Sequence, residues 1–450
     1  MKTAVPTLHP HTSPAGALAA LALPMLLASL GTSSISIALP TLAQQFGVAV
    51  APVQWIVLSY LLAVTTLVLS MGRLGDLLGR RRLLQCGLLV FIAGALLCAA
   101  APDLPLLVAA RAAQGLGAAI MMALSLAMVA DVAAHGRSGS AMGWLGTTSA
   151  IGTALGPSLG GALLSAYGWQ ALFLLNLPLG VLALVLVRRF LPSVPPARAG
   201  ALAAFDFAGT VWLALTLGMY AFALSASRAS LLLVAAMTLG LFLRRQMSAA
   251  QPLLPLALLR TRTMSAGTIM SAMVSAVVMA TLVVGPFYLT SAVGLTAAAT
   301  GLAMSSGPLV SALCAWPAGR LVDRFGSAAL VAAGLVGMLL ACILFVLLPP
   351  AAGLAGYVAP LCLLTASYAL FQTANNADVM GQAAPGQRGL ASGLLNMARN
   401  LGLISGAAAA GVLFASASGP HAGLQRVFAW AGGLITIGLV MGLARRRAKP

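Results

Sequence analysis

The sequence predicts an all-α, polytopic membrane protein in which two related six-helix bundles flank a central pair of helices. Three observations carry that prediction. Of 450 residues, 61% are hydrophobic and 7% charged, with a mean hydropathy of +1.03; soluble domains carry about 25% charged residues, so most of this chain belongs in lipid. The string G-R-L-G-D-L-L-G-R-R-R at Gly72–Arg82 returns as G-R-L-V-D-R-F-G at Gly319–Gly326, 247 residues later, with Gly, Arg, Leu, Asp and Gly in register. Basic residues are concentrated in alternate connections between apolar runs, the asymmetry that orients multispan proteins with positive loops inside.

A spanning helix needs roughly 20 apolar residues. The first fourteen residues hold three prolines and two histidines without the order of a signal peptide, and read as a cytosolic tail, 1–14. Periodicity and loop punctuation then place helices at 15–39, 53–71, 83–101, 104–130, 139–166 and 170–191. The second and third are joined by Gly72–Arg82, read as a tight aqueous loop whose glycines permit the turn. Two further helices, 206–226 and 229–247, lie between the P-S-V-P-P-A-R segment at 192–198 and Q-P-L-L-P at 251–255. The last six fall at 265–290, 298–318, 328–348, 354–378, 389–416 and 424–444, before a basic tail, 445–450. The division is therefore 15–191 for one bundle, 192–264 for linkers and inserted helices, and 265–444 for the other.

Repeat spacing shows which helices are extra. Asp131 and Asp378 lie 247 residues apart, and Arg137 and Arg388 lie 251 apart. That is an offset of eight helices against a half of six, so the seventh and eighth are insertions. Twenty of the 24 basic residues fall on the side of the even-to-odd connections and the termini, which puts both termini in the cytosol and the chain in the inner membrane.

Charge and cysteine usage exclude other classes. The net charge of +18 comes from residues set between apolar runs, not from a soluble basic face of the kind nucleic acid needs. Cys86, Cys98, Cys314, Cys342 and Cys362 lack metal-type spacing, so neither metal nor cofactor is expected. An integral-membrane enzyme, the alternative of another class, would need a catalytic cluster, and none is spaced for it. The expected partners are a small-molecule substrate, protons and the lipid bilayer, with the protein acting as a monomer.

Gly72–Arg82, the run Arg111-Ala-Ala-Gln114-Gly115-Leu116-Gly117, the helix-5 run Gly152-Thr-Ala-Leu-Gly156-Pro157-Ser-Leu-Gly160-Gly161, and Gly168-Trp169 through Phe173, Asn176 and Pro178 follow one another in order. Together they resemble the motifs of the fourteen-helix drug:proton antiporter branch of the major facilitator superfamily. The resemblance implies the major facilitator fold and export of drug-like molecules in exchange for protons by alternating access. It also implies that Gly72, Asp76, Gly79, Arg80, Asp131 and Asp323 form the gating set, Asp76 contacting the opposite half and Arg80 pairing with Asp131. In the second copy Arg80 maps to Ser327, so that pair is expected to be missing and Asp378 to meet Arg324 or Arg388 instead. A metabolite or sugar facilitator of the same fold is the alternative.

Other residues are singled out by their chemistry. Arg111 lies inside an apolar run, where a bare cation costs at least ~2.5–3.5 kcal/mol. With Gln114 on the same face, it reads either as a cavity-lining pair or as a structural arginine holding carbonyls of the first helix. Asn176, Gln372, Asn375, Asn396 and Arg399 are further cavity candidates, because polar groups at membrane depth mark the bundle interior, with helix–helix hydrogen bonding as the alternative; Asp206, at the cytosolic start of the seventh helix, is a coupling candidate. Trp55, Tyr60, Trp144 and Tyr288 are aromatic candidates for cradling a substrate, though Trp55, with Trp169, sits near a span end and reads better as an interface anchor. Gly152, Gly156 and Gly160 strip one helical face to backbone and Pro157 bends the helix; with Gly161, the resemblance implies that they form an interface between the halves, the alternative being a purely structural close contact.

The chain departs from the pattern in the first helix, where Gly31 and Ser36 stand in place of the usual aspartate and asparagine. All six carboxylates, Asp76, Asp103, Asp131, Asp206, Asp323 and Asp378, fall at helix ends or in loops. Without a mid-membrane carboxylate, neutral, zwitterionic or anionic amphiphiles fit better than multivalent cations.

Overall fold

In hydrocarbon every backbone amide has to find its partner within its own segment, and in the computed structural model each element assigned among the described residues is an α-helix. The structure describes residues 14–132, 138–192, 206–225, 229–248, 261–347, 349, 352–382 and 388–447. The first half comprises α1 (Pro14–Ser33), α2 (Ile35–Gln45), α3 (Val50–Val53), α4 (Trp55–Leu78), α5 (Arg80–Ala99), α6 (Leu104–Val132), α7 (Ser138–Tyr167), α8 (Gln170–Leu174) and α9 (Asn176–Phe190). The inserted pair is α10 (Phe207–Ser225) and α11 (Ala229–Ser248). The second half comprises α12 (Arg262–Ser291), α13 (Ala297–Phe325), α14 (Ser327–Leu347), α15 (Gly353–Gln382), α16 (Arg388–Ala415) and α17 (Pro420–Arg447).

Two spans are broken, and each break has a local cause. The first divides at Ser34, where the Gly31 carbonyl accepts from Arg111 Nη2 at 3.1 Å and Thr32 and Ser33 hydroxyls bond back to Ala28 and Ser29 carbonyls at 3.1 Å. Such back-bonding bends helices. The sixth divides at Leu175, where the Asn176 amide donates to the Leu172 and Phe173 carbonyls at 3.1 and 3.3 Å and Pro178 has no N–H to give. With α1–α2 and α8–α9 each counted as one span and α3 as a lead-in, the described residues make fourteen spans. Thirteen described segments are long and apolar enough to cross a bilayer. The fourteenth, α7, has 30 residues, a length of ~45 Å, and is diluted by glycine and serine.

The expected aqueous loop at Gly72–Arg82 is instead two helix ends meeting at one residue. Leu74 and Leu77 pack on the core of the first half, which carries the helical period on to Leu78, and the chain turns at Gly79 with φ 92°. Gly326, 247 residues on, turns with φ 80° between α13 and α14. Only glycine adopts that conformation freely, so the repeat is written in the backbone as well as in the sequence.

Packing repeats in the same way. In the first half α1 packs on α6, α7 and α9, α6 on α4 and α5, and α5 on α9; in the second α12 packs on α15, α16 and α17, α15 on α13 and α14, and α14 on α17. The halves meet where α7 crosses α13, where α2 lies on α12 and where α3 and α4 touch α16, while α10 is seated against both α4 and α16. Ser70 and Thr210 hydroxyls bond at 2.9 Å and Tyr220 and Ser405 hydroxyls at 2.8 Å, tying α10 to each half. Apolar residues such as Leu233, Met237 and Val440 face outward, as lipid contact requires. Arg80, Arg81, Arg188, Arg189, Arg245, Arg320 and Arg324 lie at the end of the bundle with the Gly79 and Gly326 turns, hereafter the basic face.

Candidate functional site

A cavity of about 330 Å³ lies between the halves, lined from α7 (Ser149, Ala150, Thr153), α12 (Val278, Thr281, Leu282), α13 (Met304, Pro308, Ser311, Ala312, Ala315), α15 (Leu361, Thr365, Tyr368, Ala369, Gln372, Thr373) and α16 (Arg399). It sits on the basic side of a seam that closes the opposite end. In that seam the Ala298 amide of α13 donates to Ser165 Oγ of α7 at 3.1 Å. A Cβ at Gly161 would stand 2.5 Å from the Ala297 carbonyl and 3.1 Å from Gly301 Cα. Gln54, fully buried, donates to the Ala407 carbonyl at 3.0 Å and accepts from the Gly411 amide at 3.2 Å with its amide turned to suit. A continuous apolar core joins Leu39 and Leu42 to Val283, Val284 and Phe287 across the same end.

Arg399 is the one charged residue among the cavity-lining side chains. With the Gln372 amide oxygen toward the guanidinium, that oxygen is 2.9–3.1 Å from all three guanidinium nitrogens, and the amide nitrogen donates to the Tyr368 hydroxyl at 3.0 Å. Near-equal distances place the oxygen over the guanidinium plane, not at its edge. The cavity thus has a polar end, Tyr368–Gln372–Arg399, and walls of Val278, Leu282, Met304 and Leu361. Tyr368 and Gln372 share a face because they are four residues apart on α15. Tyr368 was absent from the sequence-derived candidates, and that i, i+4 spacing was its signal.

Arg111 and Gln114 line no part of this cavity. Arg111 is 1% exposed within the first bundle, donating through Nε to the Ile56 carbonyl at 3.0 Å, through Nη1 to Gln114 Oε1 at 2.7 Å and through Nη2 to the Gly31 carbonyl. Its guanidinium stacks 4.2 Å from the centre of the Tyr60 ring, whose hydroxyl donates to Ala28 at 2.8 Å. Of its two sequence readings, this geometry matches the structural one: it knits α1, α4 and α6.

The remaining candidates are dispersed. Asp206 is buried, accepting from the Gly209 amide at the start of α10 at 2.9 Å, from Arg245 Nε at 3.0 Å and from Gln246 Nε2 at 3.1 Å. Asn375 donates to the Gly267 carbonyl at 3.0 Å, joining α15 to α12 outside the cavity, and Asn176 serves the break described above. Asn396, half-buried, is not among the lining residues. Trp144 is 55% exposed, and Tyr288 stacks on Tyr357 at 5.8 Å; with Tyr60 and Trp55, neither lines the cavity.

At the basic face, Gly72 is helical with open space where a Cβ would stand, whereas Gly75 faces Leu124 of α6. Arg80 donates to the Ala127 carbonyl of α6 at 3.2 Å, near the helix end where Asp131 stands. The side chains of Asp76, Asp131 and Arg388 lie outside the described residues, as does Arg137. In the second copy Ser327, at the position of Arg80, donates to Asp378 at 3.3 Å: a hydroxyl–carboxylate hydrogen bond joins the equivalent two positions. Asp323 is exposed, and Arg320 stacks on Trp316 at 4.0 Å.

The helix-5 glycines divide between two tasks. Added Cβ atoms at Gly152, Gly156 and Gly160 would strike Leu26, Ser33 and Ser34 of the first span, a contact within one bundle and not between halves. The between-halves contact comes from Gly161 and the Pro157 carbonyl, which face Gly301 of α13. A helix has room for both because the glycines four apart share one stripe, while residues 157 and 161 form the next.

Among the described residues no group of three or more His, Cys, Asp or Glu could hold a metal ion. The Major Facilitator Superfamily model matches residues 21–407 and again 264–450. The chain is 36% identical over 401 residues to an uncharacterized transporter, YebQ, of Escherichia coli (strain K12), covering 87% of each chain. It is 30% identical to riboflavin transporter RibZ of Clostridioides difficile (strain 630), covering 85% of this chain and 84% of that one. It is also 30% identical to multidrug efflux pump LfrA of Mycolicibacterium smegmatis (strain ATCC 700084 / mc(2)155), covering 88% and 80%. Among solved structures, nucleoside transporter NupG superposes with a TM-score of 0.70 at 15% identity, over 95% of this chain and 99% of that one, a likeness of fold.

Proposed function

The chain belongs to the Major Facilitator Superfamily and is a small-molecule transporter of that fold; on this premise we propose that it exports drug-like or amphiphilic molecules across the inner membrane in exchange for protons. In this reading the basic face and both termini are cytosolic, and bundles 15–191 and 265–444 rock about the cavity. The observation that carries it is the cavity itself, set between the halves on the basic side of a closed seam, with apolar walls and one polar end. Efflux pumps among the relatives support export.

Proton exchange is assigned to carboxylates at the basic ends of helices, because none lines the cavity. Asp206 is one: its protonation weakens the bonds to Arg245 and Gln246 at the foot of α10, the helix seated against both halves. Asp131 with Arg80 is the other. In everted vesicles energised by a proton gradient, adding substrate should release protons, and a protonophore should abolish uptake. Uptake that persists with the protonophore would replace this reading with a facilitator of metabolites, the alternative that the riboflavin-transporting relative favours.

A further inference from the structure

We propose that the cavity receives its cargo as a monoanion, an apolar body bearing one carboxylate or comparable acid group, with Arg399 as the docking cation. This rests on the cavity being the transport site. A guanidinium at mid-membrane without compensation costs several kcal/mol, so the fold supplies a counter-charge, uses the donors up on carbonyls, or leaves them for a ligand. Arg111 takes the second course, with Nε and both terminal nitrogens on resident acceptors. Arg399 differs. Among the described residues its partner is one neutral amide oxygen, placed over the guanidinium plane, and it makes no ion pair there.

Guanidinium N–H bonds lie in the plane of the group, so an oxygen stacked above that plane satisfies none of them well. No acceptor among the described residues takes the in-plane edge, which is left for one from outside the chain. A carboxylate matches that edge with two parallel hydrogen bonds, the strongest pairing arginine makes. The Tyr368 hydroxyl, held by Gln372 at 3.0 Å, stands at the same polar end. The opposite walls, Val278, Leu282, Met304 and Leu361, suit an apolar body, and the volume of about 330 Å³ is at the lower end of sites for drug-sized ligands. A multivalent cation meets repulsion from Arg399 and no carboxylate among the lining residues; a neutral molecule leaves the edge unsatisfied.

The test is equilibrium binding of dansylglycine, a monocarboxylate, and of its uncharged methyl ester to the full chain in lipid nanodiscs, read by dansyl fluorescence against empty nanodiscs. The acid should bind at least ~10-fold more tightly than the ester, a difference of about 1.4 kcal/mol. Arg399→Gln should remove that preference by weakening the acid while leaving the ester within ~2-fold, since only the charge-assisted bonds are lost. Gln372→Glu should do the same by giving Arg399 a resident carboxylate; it decides the matter if Arg399→Gln does not fold. Equal affinity for acid and ester, no acid binding up to ~1 mM (about −4 kcal/mol), or an acid affinity indifferent to both substitutions would overturn the assignment. Proton movement plays no part in this readout. Failure of proton coupling in vesicles therefore leaves it standing, and a charge-blind cavity would sink it without touching export.

Discussion

Gly161→Ala should tilt the balance between the two access states without unfolding either bundle. The new methyl carbon would stand 2.5 Å from the Ala297 carbonyl oxygen, 3.1 Å from Gly301 Cα and 3.2 Å from Ala298 Cα. Ordinary contacts are near ~3.5–4.0 Å, so α7 and α13 have to part by about 1 Å. The obstructing atoms are backbone and cannot turn aside. Overpacking of this kind costs about 1–3 kcal/mol, and here the cost falls on the state whose far seam is shut. That state should therefore lose about 5- to 150-fold in population relative to its opposite.

The assay is thiol accessibility at Ser311→Cys, a cavity position on α13, in a background with the five native cysteines replaced. A membrane-impermeant reagent is added to one face of reconstituted vesicles and then to the other. Labelling from the basic face should fall in Gly161→Ala and labelling from the opposite face should rise. Gly152→Ala is the control, since its Cβ would meet the Leu26 carbonyl at 2.7 Å within one bundle and strains both states alike. An unchanged labelling ratio, or an equal shift in the control, would refute the seam argument.

Arg111→Met should destabilise the protein by about 3 kcal/mol or more, through loss of three buried hydrogen bonds, yet leave dansylglycine affinity unchanged in the folded fraction; a melt in detergent and the nanodisc titration separate the two. Asp206→Asn keeps a competent N-cap and loses a half-exposed ion pair, so stability should fall by only about 0.5–1 kcal/mol while proton-coupled flux collapses; normal coupling would remove Asp206 from the proton path. At matched expression Asp76→Asn should impair transport more than Asp323→Asn, because Arg80 of the first copy is replaced by Ser327 in the second. Equal rates would argue against an asymmetric pair of hinges.

The duplication and the number of spans were legible because both are written locally. Apolar runs of membrane length cannot be hidden, and Gly79 and Gly326 mark equivalent turns that need a positive φ. The broken spans were not legible, since the Ser34 break depends on Arg111 reaching Gly31 from another helix. The cavity was half legible. Arg111 and Arg399 look alike in sequence, each a lone cation in an apolar run, and periodicity cannot say which face of such a helix turns inward. What separates them is the company brought by distant segments: carbonyls of α1 and α4 for one, a single amide of α15 for the other. The helix-5 glycines were found as a close-packing face, but their neighbour proved to be the first span, because a stripe of small residues states that something approaches and not what.

The two flanks of the molecule are unlike, and that has a mechanical outcome. On one, α7 and α13 cross in direct contact like the spine of a book. On the other, α4 touches α16 over a shorter stretch, and α10 is a gusset stitched once to each cover, by Ser70–Thr210 and by Tyr220–Ser405. Covers bound in this way cannot swing apart evenly: the longer α7–α13 crossing pivots, and the far edge travels once the α4–α16 contact and one stitch give. Each stitch is worth about 1 kcal/mol, so thermal motion can undo either, and whichever holds decides with which cover the inserted pair moves.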